Sequence, residues 1–396
     1  MQLSNRALNI QASPIRKLVP LANAAKAAGK HVYHLNIGQP DIETPQVMMK
    51  VYTEFDQKIL AYGPSQGLEF YRKNLVKYYS RYDINLNKDE IIITTAGSEA
   101  CFFAMMAVCN PGDEIIIPEP FYTNYNGFAT WAGVNITPLT TNSENGFALP
   151  DVSQIEKLIN ENTKAIMICN PGNPTGTVYS RDELLSLAEL ANKHDVFLIS
   201  DEVYREFVYD GESHTSILTI PEISDRAIVV DSISKRYSAC GARIGCIITH
   251  NQKLLSSLIK FAQARLCPPT IEQYAANACI DLQEEYFNDI ISEYQARRDL
   301  VFDALSKIDE VICVKPKGAF YIIAKLPVED AEHFVKWLLT DYSHNNETVM
   351  VAPAAGFYAS PGLGKDEVRI AYILNKSDLK RAMEIFNSGL IEYLKK

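Results

Sequence analysis

A chain of 396 residues exceeds the roughly 250–300 at which a single hydrophobic core stops growing, so at least two domains are expected. With 47% hydrophobic and 22% charged residues it has the composition of an ordinary folded protein, which excludes a disordered, collagen-like or coiled-coil chain. Its net charge of −10 comes without any run of lysine or arginine, which argues against nucleic acid and for a small-molecule partner.

The first 45 residues carry Gly29, Gly38, Pro40 and Pro45 and no convincing sheet-forming run, and are expected to pack on the C-terminal part. They also lack the apolar stretch of a secretory signal, so a cytoplasmic location is expected. Short apolar runs follow at Ile91 to Thr94, Ile115 to Ile117, Ala165 to Ile168, Val196 to Ile199 and Ala227 to Val230. Apolar on consecutive positions, they read as strands covered on both faces. Helical stretches separate them. One runs from Arg181 to His194 behind the N-cap Ser180, with Glu183 placed to complete a capping box.

The longest unbroken apolar run, the ten residues Ala100 to Cys109, is about half of what a membrane-crossing helix needs. No membrane partner is expected. Strands alternating with helices predict an α/β fold, a large domain with a mainly parallel central sheet flanked by helices. The C-terminal part reads as a smaller α+β domain: a helix near Leu282 to Lys307, strands at Val311 to Val314 and Ala319 to Ile323, a helix near Glu329 to Leu339, and a strand at Val368 to Tyr372. The division expected is 46–285 for the large domain, and 1–45 with 286–396 for the small one. Eight scattered cysteines, with no C-x-x-C and no histidine cluster, predict neither a metal site nor a disulfide framework.

Four segments carry chemistry. Thr95-Ala-Gly97-Ser98-Glu99 joins a strand to a helix, where free N–H groups suit a phosphate. No G-x-G-x-x-G or G-x-x-x-x-G-K-[ST] pattern is present, so neither NAD nor ATP is supported. Asn170-Pro-Gly-Asn173-Pro-Thr-Gly176 sets an irregular loop that can hold the Asn173 amide in place. Asp201 directly follows a buried strand, at the end where α/β folds bind ligands; helix capping is its plainer alternative. Lys235 lies in Ser232-Ile-Ser-Lys235, with Arg243 eight residues on. Partial desolvation beside a cation would lower its pKa and make the amine nucleophilic, against the plainer alternative of a surface turn.

Together these segments resemble the pyridoxal-phosphate enzymes of fold type I, and specifically the class I aminotransferases of the prokaryotic aspartate aminotransferase subgroup. The resemblance runs nearly end to end, through Leu35-Asn-Ile-Gly38-Gln-Pro-Asp, Tyr62-Gly-Pro-Ser-Gln-Gly67, Gly97-Ser-Glu, Asn170 to Gly176, Asp201-Glu-Val-Tyr204, Ser232 to Lys235, Gly318-Ala-Phe-Tyr and Val368-Arg369. It implies ping-pong transfer of an amino group between an L-amino acid and a 2-oxo acid, through a Schiff base between Lys235 and pyridoxal 5'-phosphate. Lys235 would carry a proton between the substrate Cα and the cofactor, and Asp201 would pair with the ring nitrogen. Asn173 and Tyr204 would reach the 3′ oxygen, and Tyr122 would stack on the ring. The resemblance assigns the phosphate to the N–H groups of Gly97, Ser98 and Glu99, with Ser232 and Arg243. Tyr62 would reach it from the neighbouring subunit of a homodimer with shared active sites. Arg369 would grip the substrate α-carboxylate as a fork, with Gly38 and Asn173 beside it.

Relatives that favour dicarboxylic substrates need a second cation. Where some of them carry lysine after the glycine, this chain has Ser98. Arg265 is a candidate, against a helix-surface salt bridge, and aspartate, alanine, aromatic or broad specificity stays open. A pyridoxal-phosphate lyase acting by β-elimination is the alternative on the same fold. Ser232-Ile-Ser-Lys235 also fits the S-x-x-K pattern of β-lactamases, but no S-D-N or K-T-G accompanies it. A catalytically dead binding protein is disfavoured, because every expected cofactor-contacting position carries a competent residue.

Overall fold

The computed structural model describes residues 1–396. Its strands are β1 (His31–His34), β2 (Ile91–Thr95), β3 (Glu114–Glu119), β4 (Asn135–Thr140), β5 (Thr163–Cys169), β6 (Phe197–Asp201), β7 (Ala227–Ser232), β8 (Ile244–Ile248), β9 (Tyr321–Lys325), β10 (Glu347–Met350), β11 (Ala352–Pro353) and β12 (Glu367–Ala371).

Seven of them form one sheet in the order β2-β8-β7-β6-β5-β3-β4. The neighbours from β7 to β4 are parallel, and β8 runs antiparallel to both β7 and β2. The five expected apolar runs all form strands, and β7 is buried along its whole length, as a strand covered on both faces must be. Two strands lay outside the sequence expectation. β4 reads Asn-Ile-Thr-Pro-Leu-Thr and pairs only with β3; its Pro138 cannot donate to a ladder and is tolerated because β4 is an edge strand. β8 is the apolar stretch after Arg243, here a central antiparallel strand.

This topology gathers the chemistry at the C-terminal ends of the strands that share a direction. β2, β5, β6 and β7 share a direction, so Thr95, Cys169, Asp201 and Ser232 end side by side and the loops carrying Asn173, Tyr204 and Lys235 leave together. The helix expected from Ala100 begins earlier, spanning Ala96–Val108, so Gly97, Ser98 and Glu99 lie in its first turn. The Glu99 carboxylate accepts the Thr95 N–H at 2.7 Å, which satisfies one of the orphan donors at this helix start. The Arg181–Lys193 helix has the reciprocal capping box of Ser180 and Glu183 that its sequence signals.

The C-terminal part holds the long helix Glu284–Leu305, the helix Ala331–Thr340 and the three-stranded sheet β11-β12-β9. Leu18, Ala22, Val32 and Leu35 are buried in one core with Phe334, Leu338, Ile370 and Phe386. Two expectations are corrected here. The first 45 residues do supply a strand: β1, only four residues long and flanked by histidines, is held by parallel pairing with the distant β10, a non-local contact no local pattern announces. Val311 to Val314 is not a strand; Ile312 makes a single bridge to Lys325, and Ile312 and Val314 lie exposed.

Candidate active site

A cavity of about 620 Å³ opens where the C-terminal strand ends meet the C-terminal part. It is lined by Gly38, Gly97, Ser98, Tyr122, Asn173, Asp201, Tyr204, Ser232, Lys235, Arg243 and Arg369, eleven of the residues singled out in the sequence. A second cavity of about 600 Å³, around Tyr82, Arg205, His214 and His250, contains none of them.

Asp201 closes β6 and is buried. Its Oδ2 accepts from the Tyr125 hydroxyl at 2.7 Å and its Oδ1 from the Val203 N–H at 3.4 Å, and no cation of the chain pairs with it. Burial pushes its carboxyl up to about 6, partly opposed by the Tyr125 hydrogen bond. Tyr125 was not among the sequence candidates; its signal is the spacing of three from Tyr122, at the start of the Asn124–Ala132 helix.

Lys235 sits on the short helix that follows β7 and is half-buried. Its Nζ donates to the Gly38 carbonyl at 2.8 Å and lies 3.6 Å from Cys240 Sγ. Gly38 is there for want of space: a Cβ would stand 1.7 Å from the Tyr321 hydroxyl oxygen. Tyr321, the last residue of Gly318-Ala-Phe-Tyr, hydrogen-bonds Tyr204 at 2.8 Å, and Tyr204 in turn accepts from Asn173 Nδ2 at 3.4 Å. Burial holds the Tyr122 and Tyr204 phenols far above neutral pH, so both keep their protons.

Arg369, in the middle of β12, is buried yet has no carboxylate partner. Its Nη1 donates to Asn173 Oδ1 at 3.0 Å and its Nη2 to the Asn36 carbonyl at 2.5 Å, while Nε has no partner. The guanidinium carbon lies 4.5 Å from the Tyr321 ring centre and 4.8 Å from that of Phe357. Burial holds its pKa below the usual arginine value.

At the other end the first turn of the Ala96–Val108 helix faces the cavity with Gly97 and Ser98. β8 packs tightly against this turn because residue 245 is glycine. A Cβ there would meet Ala96 C at 2.6 Å and the Gly97 amide nitrogen at 2.7 Å. Arg243 is exposed at the rim and donates to the Cys240 carbonyl at 3.0 Å. The Ser232 hydroxyl lies 2.9 Å from the Ile244 carbonyl and 2.8 Å from Ser234 Oγ.

Three candidates lie outside the cavity. Glu99 turns back to Thr95 and stands 2.9 Å from Arg265 Nη1. Arg265 also donates to the Ser65 and Ile93 carbonyls, each at 3.2 Å, so the structure gives it the salt-bridge role and its charge is already matched. Tyr62 is 83% exposed.

The set can hold a ring that carries a phosphate. It offers a buried carboxylate lacking a cation, the N–H groups of a helix start together with an arginine, and an amine on the same cavity. The profile of the class I and II aminotransferases matches residues 30–386. The chain is 34% identical to the putative aminotransferase YugH of Bacillus subtilis, over 96% of each chain. It is 32% identical to an aspartate aminotransferase of Pyrococcus abyssi, over 99% of each. The solved alanine aminotransferase of Pyrococcus furiosus superposes with a TM-score of 0.89 at 31% identity, covering 99% of this chain and 100% of that one. Strand order, cavity and sequence agree: the chain belongs to the class I and II aminotransferases, fold type I enzymes that depend on pyridoxal phosphate.

Proposed function

We propose that the 620 Å³ cavity takes pyridoxal phosphate and an amino acid side by side, and that Lys235 moves the proton that amino-group transfer requires. One observation carries this. Asp201 and Arg369 are buried charges of opposite sign on the same cavity, and neither is paired with an opposite charge of the chain. An uncompensated buried charge costs several kcal/mol, on the order of the 3–5 kcal/mol seen when one partner of a buried pair is removed. Ligands that bring a cation to Asp201 and a carboxylate to Arg369 relieve both.

When bound, pyridoxal phosphate supplies the electron sink for the carbanion left at the substrate Cα. Asp201, fixed by Tyr125 and the Val203 N–H, would keep the ring nitrogen protonated. Gly97 and Ser98 would offer amide N–H groups to the phosphate, with Arg243 as a charged donor and Ser232 as a hydroxyl donor. Asn173 and Tyr204 would hydrogen-bond the ring oxygen, and Tyr122 would supply the aromatic surface for the ring. Arg369 would hold the α-carboxylate and so orient Cα toward Lys235, the group placed to take the Cα proton as base and to give it back as acid.

The division into 46–285 and 1–45 with 286–396 belongs to the same proposal. It is supported by the core that joins Leu18 and Val32 to the C-terminal helices. So does a homodimer in which Tyr62 reaches the partner's phosphate site, supported by the exposure of Ile59, Leu60 and Tyr62 together.

Cofactor-loaded protein incubated with L-amino acids and 2-oxoglutarate is expected to form glutamate in step with the new 2-oxo acid, with little ammonia. Lys235→Ala is expected to lower that rate by roughly 10⁴-fold, the upper range for a lost general acid–base group. Ammonia released without glutamate would show a lyase instead.

A further inference from the structure

Four cations line the cavity: Arg16, Lys235, Arg243 and Arg369. With the last three in the roles proposed for them, on which this inference rests, Arg16 is left without a task. Its neighbour Lys17 pairs with Glu332 at 2.8 Å, but the Arg16 side chain makes no hydrogen bond or ion pair within the chain. It is exposed while lining the cavity, so its head group is free.

Its backbone is held in place. Pro14 lies so close on Gly356 that a Cβ there would come within 2.3 Å of it. The Ile15 carbonyl accepts from Asn36 Nδ2 at 3.2 Å, and the Asn36 carbonyl accepts from Arg369 at 2.5 Å. Leu18, two residues on, is buried in the core. Arg16 is therefore tethered one residue from a hydrogen-bonded chain that ends on Arg369. The other candidates for a second cation fail: Ser98 is uncharged, and Arg265 is bound to Glu99 outside the cavity.

We propose that Arg16 binds a second carboxylate, at the end of the substrate side chain, and so makes dicarboxylic amino acids and their 2-oxo acids the preferred substrate class. A guanidinium suits this task because its planar fork takes both carboxylate oxygens at once. A monocarboxylic substrate would leave it in water and gain nothing from it.

Two measurements on cofactor-loaded protein test this. By calorimetry, glutarate is expected to bind at least tenfold more tightly than butyrate to the native protein. Arg16→Gln is expected to bring the two within about threefold, whereas Lys17→Gln, which alters a neighbouring cation outside the cavity, keeps the gap. In kinetics, the ratio of kcat/KM for L-glutamate over L-alanine is expected to fall about 10- to 100-fold in Arg16→Gln, the loss of one charge-assisted contact, with partial recovery in Arg16→Lys. An equal loss on both amino acids, or an unchanged glutarate affinity, would overturn the role of Arg16. If the native protein transferred no amino group from any donor, the roles of Lys235 and Arg369 would fall first.

Discussion

Asp201 and Arg369 are each unfavourable in the empty cavity and favourable once a ligand is bound, and for Asp201 this has a measurable sign. Its carboxyl is raised from 3.8 to about 6 by burial. A raised acid contributes most to stability when protonated, and that contribution is lost as pH rises through about 6. At pH 7.5 the ionised group costs the cofactor-free protein about 3 kcal/mol, the shift multiplied by the free energy of one pH unit. Asp201→Asn is therefore expected to stabilise the cofactor-free protein in urea at pH 7.5 by about 1–3 kcal/mol, with most of the gain gone at pH 4. An equal gain at both pH values would show that the carboxylate charge is not the cause. At this scale the sequence disclosed the residues with special chemistry and missed those that merely hold them. Tyr125 holds Asp201 through its hydroxyl and Asn36 holds Arg369 through its backbone carbonyl, roles that exist only once the strands bring Asp201 and Arg369 within reach.

Among the elements, the contact of β8 with the first turn of the Ala96–Val108 helix decides how the anion end is shaped. A Cβ at Gly245 would strike the Ala96–Gly97 peptide bond and the Asp231 carbonyl, at 2.6 to 2.7 Å, backbone atoms that cannot rotate away. Gly245→Ala is expected to push the helix start outward and to weaken pyridoxal phosphate binding at least tenfold in an absorbance titration, while the far-ultraviolet circular dichroism stays native. Unchanged affinity would separate this turn from cofactor binding. The buried parallel strands were legible because burial on both faces writes continuous apolar runs, as in β5 and β7. β4, with one neighbour and a proline, and β1, stabilised by a partner at the far end of the chain, carry no such signature. The Val311 to Val314 run failed for the opposite reason: its apolar residues have one bridge and no second strand to cover them.

For the whole molecule, the net charge of −10 says nothing of a cavity that takes anions, because the four cations lining it act locally. Ile59, Leu60 and Tyr62 are exposed together, and only the resemblance carried by Tyr62-Gly-Pro-Ser-Gln-Gly67, not composition or charge, gave a reading of what covers them. If Tyr62 completes the partner's site, Tyr62→Ala and Lys235→Ala subunits, each inactive alone, should restore about a quarter of native activity when refolded together at equal amounts, since half the dimers then hold one intact site. No recovery would mean that each chain builds its site alone. The position of Lys235 at the centre of that site is the claim on which all these expectations depend. Borohydride reduction of the cofactor-loaded protein followed by peptide mass mapping tests it most directly: stoichiometric phosphopyridoxyl label on Lys235 is the expected result, and label on a different lysine, or none on Lys235, would contradict it.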